Sequence, residues 1–150
     1  MAIDITLLKK LREETGISVS ECRQALEDAN GDYDKALKLL RSKAEEKAAK
    51  KADRETGQGI VETYIHGGGK IGVMVMLLCE TDFVARTDEF KTLAHDIAMQ
   101  IAAMDPKNVE ELLKQEFIKD PSKTIEQMVK EAIHKTGENI TLKKFERFSI

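Results

Sequence analysis

The sequence predicts an α+β protein in two parts. An amino-terminal three-helix module with a helical linker covers residues 1–55, and an α+β core covers residues 56–150. The core is expected to hold a three-stranded antiparallel sheet packed with helices on one face. Three observations carry this. Apolar residues recur at helical spacing through the first part, punctuated by glycines and capping residues. Two extended runs, Ile60 to His66 and Ile71 to Cys79, flank the turn Gly67-Gly68-Gly69-Lys70 and form a hairpin. Amphipathic helices then precede a last extended run, Ile140 to Phe148.

In chain order, the first helix spans about Asp4 to Thr15, with Ile5, Leu8 and Leu11 on one face and Leu7 beside them, and Gly16 stops it. Ser18 and Glu21 have capping-box spacing and open the second helix, which carries Cys22, Ala25, Leu26 and Ala29 and ends at Asn30-Gly31. Asp32 caps a third helix that turns Tyr33, Ala36, Leu37 and Leu40 inward. From Arg41 to Glu55 only alanines remain apolar, so this stretch is expected to be a solvated helical linker, ended by Gly57 and Gly59. Lys47, Lys50 and Lys51 are interleaved with Glu45, Glu46, Asp53 and Glu55, which favours a mixed-charge face over an RNA site. After the hairpin, Thr87, Asp88 and Glu89 open a long helix that places Phe90, Leu93, Ala94, Ile97, Ala98 and Ile101 inward, and Asp105-Pro106 breaks it. Helices over about Asn108 to Phe117 and Ser122 to Lys135 follow, and Gly137 ends the second.

Composition narrows the function. With 24 basic and 27 acidic residues the formal net charge is −3, so no general field holds nucleic acid phosphates, and no direct nucleic acid partner is expected. No apolar run approaches the roughly 20 residues of a membrane span, and the amino terminus has no secretory pattern. Cys22 and Cys79 form no Cys-x-x-Cys pair and read as reduced thiols, which points to the cytoplasm.

Catalytic signatures are weak. Gly67-Gly68-Gly69-Lys70 superficially resembles a phosphate loop, but Ile71 follows the lysine and the context is strand-turn-strand, so no bound nucleotide is expected. His66, His95 and His134 fall on separate elements without metal-ligand spacing, and read as surface or edge residues. No cofactor and no metal are expected. A binding protein remains. Ile17 and Val19, on the connector between the first two helices, either staple the next helix or face a partner. Phe83, in Cys79-Glu80-Thr81-Asp82-Phe83-Val84-Ala85-Arg86, is either a core residue or an exposed wedge.

The strand Ile71 to Cys79 carries too much apolar surface for a sheet covered on one side. Val73, Val75 and Leu77 occupy one face, and Met74, Met76 and Leu78 the other. The helices cover one face, so the second is expected to meet another copy of the chain.

Four segments carry a resemblance. Leu11-Arg12-Glu13-Glu14-Thr15-Gly16, with Cys22-Arg23-Gln24-Ala25-Leu26 and Ala29-Asn30-Gly31-Asp32, resembles the amino-terminal module of bacterial elongation factor Ts, a three-helix domain of the ubiquitin-associated (UBA) type. Ala48-Ala49-Lys50-Lys51-Ala52 is similar to that family's linker, Cys79 to Ala85 to its central motif, and Gly137-Glu138-Asn139-Ile140 to the start of its last core strand. The chain stops just after that strand, so it is similar to the short form with a single core subdomain, and contacts of a second subdomain do not carry over.

The resemblance implies a guanine-nucleotide exchange factor for elongation factor Tu, and not an enzyme that makes or breaks bonds. Asp82 and Phe83 would enter the partner's G domain and dislodge its magnesium ion, with Thr81 and Val84 shaping the loop. Arg12, Val19, Ser20 and Arg23 would bind the partner from the amino-terminal module, and Thr136 and Gly137 from the core turn. Short members are expected to be homodimers, with Phe145 and Phe148 placed either in that interface or in the core. The alternative is a UBA-like adaptor without exchange activity.

Overall fold

The amino-terminal bundle forms where helical spacing and caps predict it. In the computed structural model, which describes residues 2–150, α1 (Ile5–Thr15) starts at Asp4, whose carboxylate accepts the Thr6 N–H at 2.8 Å. It ends at Gly16, whose left-handed backbone lets its N–H reach the Arg12 carbonyl. α2 (Val19–Asp28) follows Ser18, and α3 (Tyr33–Lys51) follows Asp32. Leu11, Ile17, Cys22, Ala25, Leu26, Ala36 and Leu40 close a small core between them. The expected capping box at Ser18 is half formed. Ser18 Oγ accepts the Glu21 N–H, but the Glu21 carboxylate takes the Ser18 hydroxyl at 3.0 Å and leaves the Ser18 N–H alone.

The helical extension expected from Arg41 is present as far as Lys51, and its expected solvation is corrected on one face. α3 runs unbroken to Lys51 and packs along α7 (Ile125–Thr136), with Ala44 and Ala48 buried. Alanine contributes little apolar area, but its small side chain lets two helix backbones approach. Ala48 belongs to the second, larger core, so α3 serves both parts of the chain.

That second core lies under a sheet of β1 (Gln58–His66), β2 (Ile71–Cys79) and β5 (Ile140–Ser149), in the order β1-β2-β5 and antiparallel throughout. The inner face carries Val73, Val75, Leu77 and Cys79 against α5 (Asp88–Met104), whose Phe90, Leu93, Ala94, Ile97, Ala98 and Ile101 are buried as their spacing predicts. A bulge resolves the phase of β5. Met76 pairs with Lys144 but Leu77 with Leu142, so Lys143 is the extra residue. Ile140, Leu142 and Phe145 therefore all face inward, and Phe145 packs on the core opposite Val75. Phe148 faces the other way, opposite Gly72, and is 70% exposed.

A two-stranded hairpin replaces the end of the helix expected over Asn108 to Phe117 and the start of the one expected over Ser122 to Lys135. α6 (Val109–Lys114) is short, β3 (Glu116–Phe117) pairs with β4 (Asp120–Thr124), and only then does α7 begin. The fully buried Gln100 holds this hairpin: its amide donates to the Glu116 carbonyl at 3.0 Å and accepts the Ile118 N–H at 3.0 Å. α7 starts at Thr124, whose hydroxyl and Gln127 form a complete capping box.

Candidate functional site

Between β2 and α5 the chain makes a single helical turn, α4 (Asp82–Ala85), capped by Thr81. Ala85 is buried and Val84 packs against the core, so the turn is anchored on one side. Phe83 points away from that anchor and is 80% exposed. A phenylalanine in water forgoes the roughly 1.5–3 kcal/mol that its burial is worth. It is held out by geometry, because the same turn that buries Val84 and Ala85 leaves Phe83 facing solvent. Asp82 is paired within its own turn, 3.1 Å from Arg86 Nη2, a surface contact that yields easily to a competing donor.

Glu138 fixes the base of this turn. One of its carboxylate oxygens accepts the Thr81 N–H at 3.0 Å and the other accepts the Thr81 hydroxyl at 2.6 Å. Glu80 returns the contact, accepting the Asn139 N–H at 2.8 Å. The two acids thus cross between the end of β2 and the start of β5. Arg54 lies 3.5 Å from Glu80, and its carbonyl accepts from the Asn139 side chain at 2.9 Å. Thr136 closes the last turn of α7 by donating to the Ala132 carbonyl at 2.8 Å, and its hydroxyl accepts the Glu138 N–H at 3.2 Å. Thr81 to Val84 and Thr136-Gly137 therefore lie side by side, joined by Glu138.

Arg12, Val19, Ser20 and Arg23 lie on the bundle and are exposed. The connector splits the two readings of its apolar residues: Ile17 is buried and Val19 is 47% exposed. Arg23 is paired with Glu27 at 3.1 Å. The turn between α1 and α2 rests on the carboxyl-terminal end of α7. The Lys135 side chain crosses Gly16 so closely that a β-carbon there would come within 2.8 Å of its Cε.

His134 corrects the expectation that all three histidines are surface or edge residues. Its side chain is 1% exposed, and Nε2 lies 3.0 Å from Glu21 Oε1 and 2.9 Å from Lys47 Nζ. Lys47 also donates to Glu21 Oε1 at 2.7 Å. The ammonium hydrogen bond, helped by His134 and Ser18, holds the Glu21 carboxyl down to about 2 against the desolvation that opposes it. His66 stacks on Tyr64 and His95 meets the same ring edge-on, and His66 Nδ1 lies 2.9 Å from the Tyr64 hydroxyl. Cys22 and Cys79 are free and buried, and desolvation pushes both thiols up.

Sequence reasoning missed Glu80, Glu138, Glu21, Lys47 and His134 as site-shaping residues. Each is one charged or polar residue among many, and its partner lies up to 113 positions away.

The opposite face of the sheet is open. Val61, Ile65, Met74 and Phe148 are exposed on it, with Met76 and Leu78 half-buried between them. No helix among the described residues is long and apolar enough to cross a membrane.

The family model for elongation factor TS matches residues 80–150, which takes in α4, Glu138 and β5. The elongation factor Ts of Carboxydothermus hydrogenoformans is 43% identical over 189 aligned positions, covering 96% of this chain and 87% of the relative. Those of Thermosipho melanesiensis and Syntrophomonas wolfei are each 40% identical over 193 positions, covering 99% of this chain and 98% and 90% of the relatives. These alignments are longer than the 150-residue chain, so each relative carries residues with no counterpart here. At this identity over nearly the whole length, the chain belongs to the elongation factor Ts family.

Proposed function

We propose that the protein is the guanine-nucleotide exchange factor for elongation factor Tu, working in the cytoplasm during translation elongation. It binds the GDP-bound GTPase, displaces the magnesium ion and promotes GDP release, and GTP then releases it. The observation that carries this reading is Phe83, exposed at the apex of a turn whose base is clamped by Glu138 and anchored by Val84 and Ala85.

The physics of a wedge suits this arrangement. Burying the Phe83 ring in a partner gains roughly 1.5–3 kcal/mol, and a charge-assisted hydrogen bond from Asp82 adds a comparable gross amount before desolvation. A floppy loop would lose that gain to ordering, whereas a clamped one delivers it to the partner as strain. Coupling between sites is reciprocal, so a factor that weakens nucleotide binding is itself weakened by nucleotide to the same degree. This cycle makes and breaks no covalent bond in the chain, so the protein acts as a binding catalyst of release and not as an enzyme of bond chemistry. Thr81, Asp82, Phe83 and Val84 form the exchange element, Thr136 and Gly137 flank it, and Arg12, Val19, Ser20 and Arg23 make a second grip.

The protein works as a homodimer in this reading, joined through the open face of the sheet. The support is the exposed row Val61, Ile65, Met74 and Phe148 on a face that no helix among the described residues covers. The exchange function is tested by release of fluorescent GDP from elongation factor Tu at substoichiometric protein. Multiple turnovers are expected, and release no faster than the spontaneous rate would refute the function.

A further inference from the structure

We infer that Glu21, Lys47 and His134 form a latch that fixes the angle of the three-helix bundle against the core, and so sets the distance between the bundle's contact residues and Phe83. The functional half of this inference rests on the exchange reading above; the structural half rests on the cluster alone.

The three residues come from α2, α3 and α7, so the cluster ties the bundle, the shared helix and the core at one point. Glu21 Oε1, Lys47 Nζ and His134 Nε2 form a triangle with sides of 2.7, 2.9 and 3.0 Å. One ring nitrogen cannot donate to Glu21 and accept from Lys47 at once. His134 Nδ1 is buried without a partner among the described residues. If Nδ1 carried the proton, a buried N–H would be orphaned and Nε2 would face the Glu21 oxygen lone pair to lone pair; with the proton on Nε2, the Nδ1 lone pair goes unused and the 2.9 Å side to Lys47 joins two donors that meet through their shared acceptor Glu21. Orphaned buried N–H groups are the rarer case, so we assign the Nε2–H tautomer, donating to Glu21.

Most of the joint is made by α3, which lies along α7. Ala44 and Ala48 hold α3 to the core, but they leave α1 and α2 to be restrained by the bundle's own thin core and by the Lys135 chain across Gly16. Glu21 is the residue of α2 that reaches α7, and Val19 and Arg23 stand two positions to either side of it on the exposed face. Freeing Glu21 therefore frees the helix that carries the second grip. A two-point grip depends on spacing that is set in advance, because the second contact is then made at high effective concentration. Glu21, Lys47 and His134 are accordingly positioning residues. Their loss weakens capture of the partner and leaves the action of Phe83, once bound, unchanged.

The test pairs a structural and a kinetic readout in Glu21→Gln and His134→Phe, with Lys47→Met as a milder third variant. Spin labels at Lys9→Cys and Lys91→Cys, both exposed positions, report the distance between bundle and core, and the buried Cys22 and Cys79 stay unlabelled. The parent is expected to give one narrow distance distribution, and the first two variants a broad one with helical content retained. In unlabelled protein, the elongation factor Tu·GDP concentration for half-maximal exchange is expected to rise at least about fivefold at an unchanged saturating rate. Narrow distributions in all three variants would overturn the latch. Broad distributions with unchanged half-saturation would overturn its part in positioning. If the parent showed no exchange at all, the exchange reading would fall, and the distance measurement would still decide the latch.

Discussion

Glu138 offers the sharpest test of how the exposed turn is held. Glu138→Ala removes the acceptors of both the Thr81 N–H and the Thr81 hydroxyl. Hydrogen bonds to a charged group are worth about 1.5–3 kcal/mol each. Glu138 is only half-buried, and water replaces part of what is lost. A net cost of about 2 kcal/mol follows, which for a chain of this size lowers the melting temperature by about 4–8 °C. Glu138→Gln keeps one carbonyl acceptor and should cost about half as much. Because the lost bonds hold the cap of α4, the GDP-release rate should fall by more than the stability loss alone explains while the protein is still folded at the assay temperature. Circular dichroism melting and fluorescent GDP release measure the two effects. Thr81→Val on its own should reproduce most of the kinetic loss, and the double variant should add little to either single change. Melting within a degree of the parent, together with an unchanged release rate, would refute the clamp.

Three further outcomes follow from the structure. The Glu21 carboxyl sits at about 2 in the folded protein against an ordinary 4.5, so its stabilising contribution is complete above about pH 4.5 and is lost as pH falls toward 2. Denaturation of the parent and Glu21→Gln from pH 6 to 2 should show a stability gap that is constant above 4.5 and closes below it; a gap that widened on acidification would contradict this sign. Gly59 has φ +148° and a β-carbon there would clash with the Leu77 carbonyl across the hairpin, so Gly59→Ala should cost more than about 2 kcal/mol by chemical denaturation. Met74→Glu places a charge on the open face of the sheet, and light scattering at micromolar concentration should then report a monomer where the parent is a dimer; a monomeric parent would remove the dimer from the account.

What was legible in the sequence was local. Helix starts near Asp4 and Thr87, caps at Ser18 and Asp32, stops at Gly16 and Gly137, and the inward stripe from Phe90 to Ile101 all follow from spacing and residue type, and the structure repeats them. Where partners are distant, the pattern was silent. Asp120-Pro121-Ser122-Lys123-Thr124 is too polar to read as a strand, and it pairs with β3, whose Glu116 carbonyl and following Ile118 N–H are held by Gln100 on another element. Alanines at 44 and 48 looked like solvated helix because their apolar area is small, yet their size is what lets α3 lie against α7. The extra residue at Lys143 hid the inward phase of Phe145, since strict alternation fails at a bulge. The site divides the same way. The sequence motif located Phe83, and the resemblance suggested its role, but the crossed contacts of Glu80 and Glu138 depend on two segments meeting that no local pattern joins.

The central claim is that Phe83 acts on a partner and contributes little to its own fold. The direct measurement is stopped-flow GDP release from elongation factor Tu by the parent and by Phe83→Ala, alongside thermal unfolding of both. At 80% exposure the ring contributes little to stability, so the melting temperatures should agree closely while the stimulated release rate falls by more than about tenfold, matching the loss of roughly 1.5–3 kcal/mol of wedge burial. Equal release rates in two equally stable proteins would contradict the account.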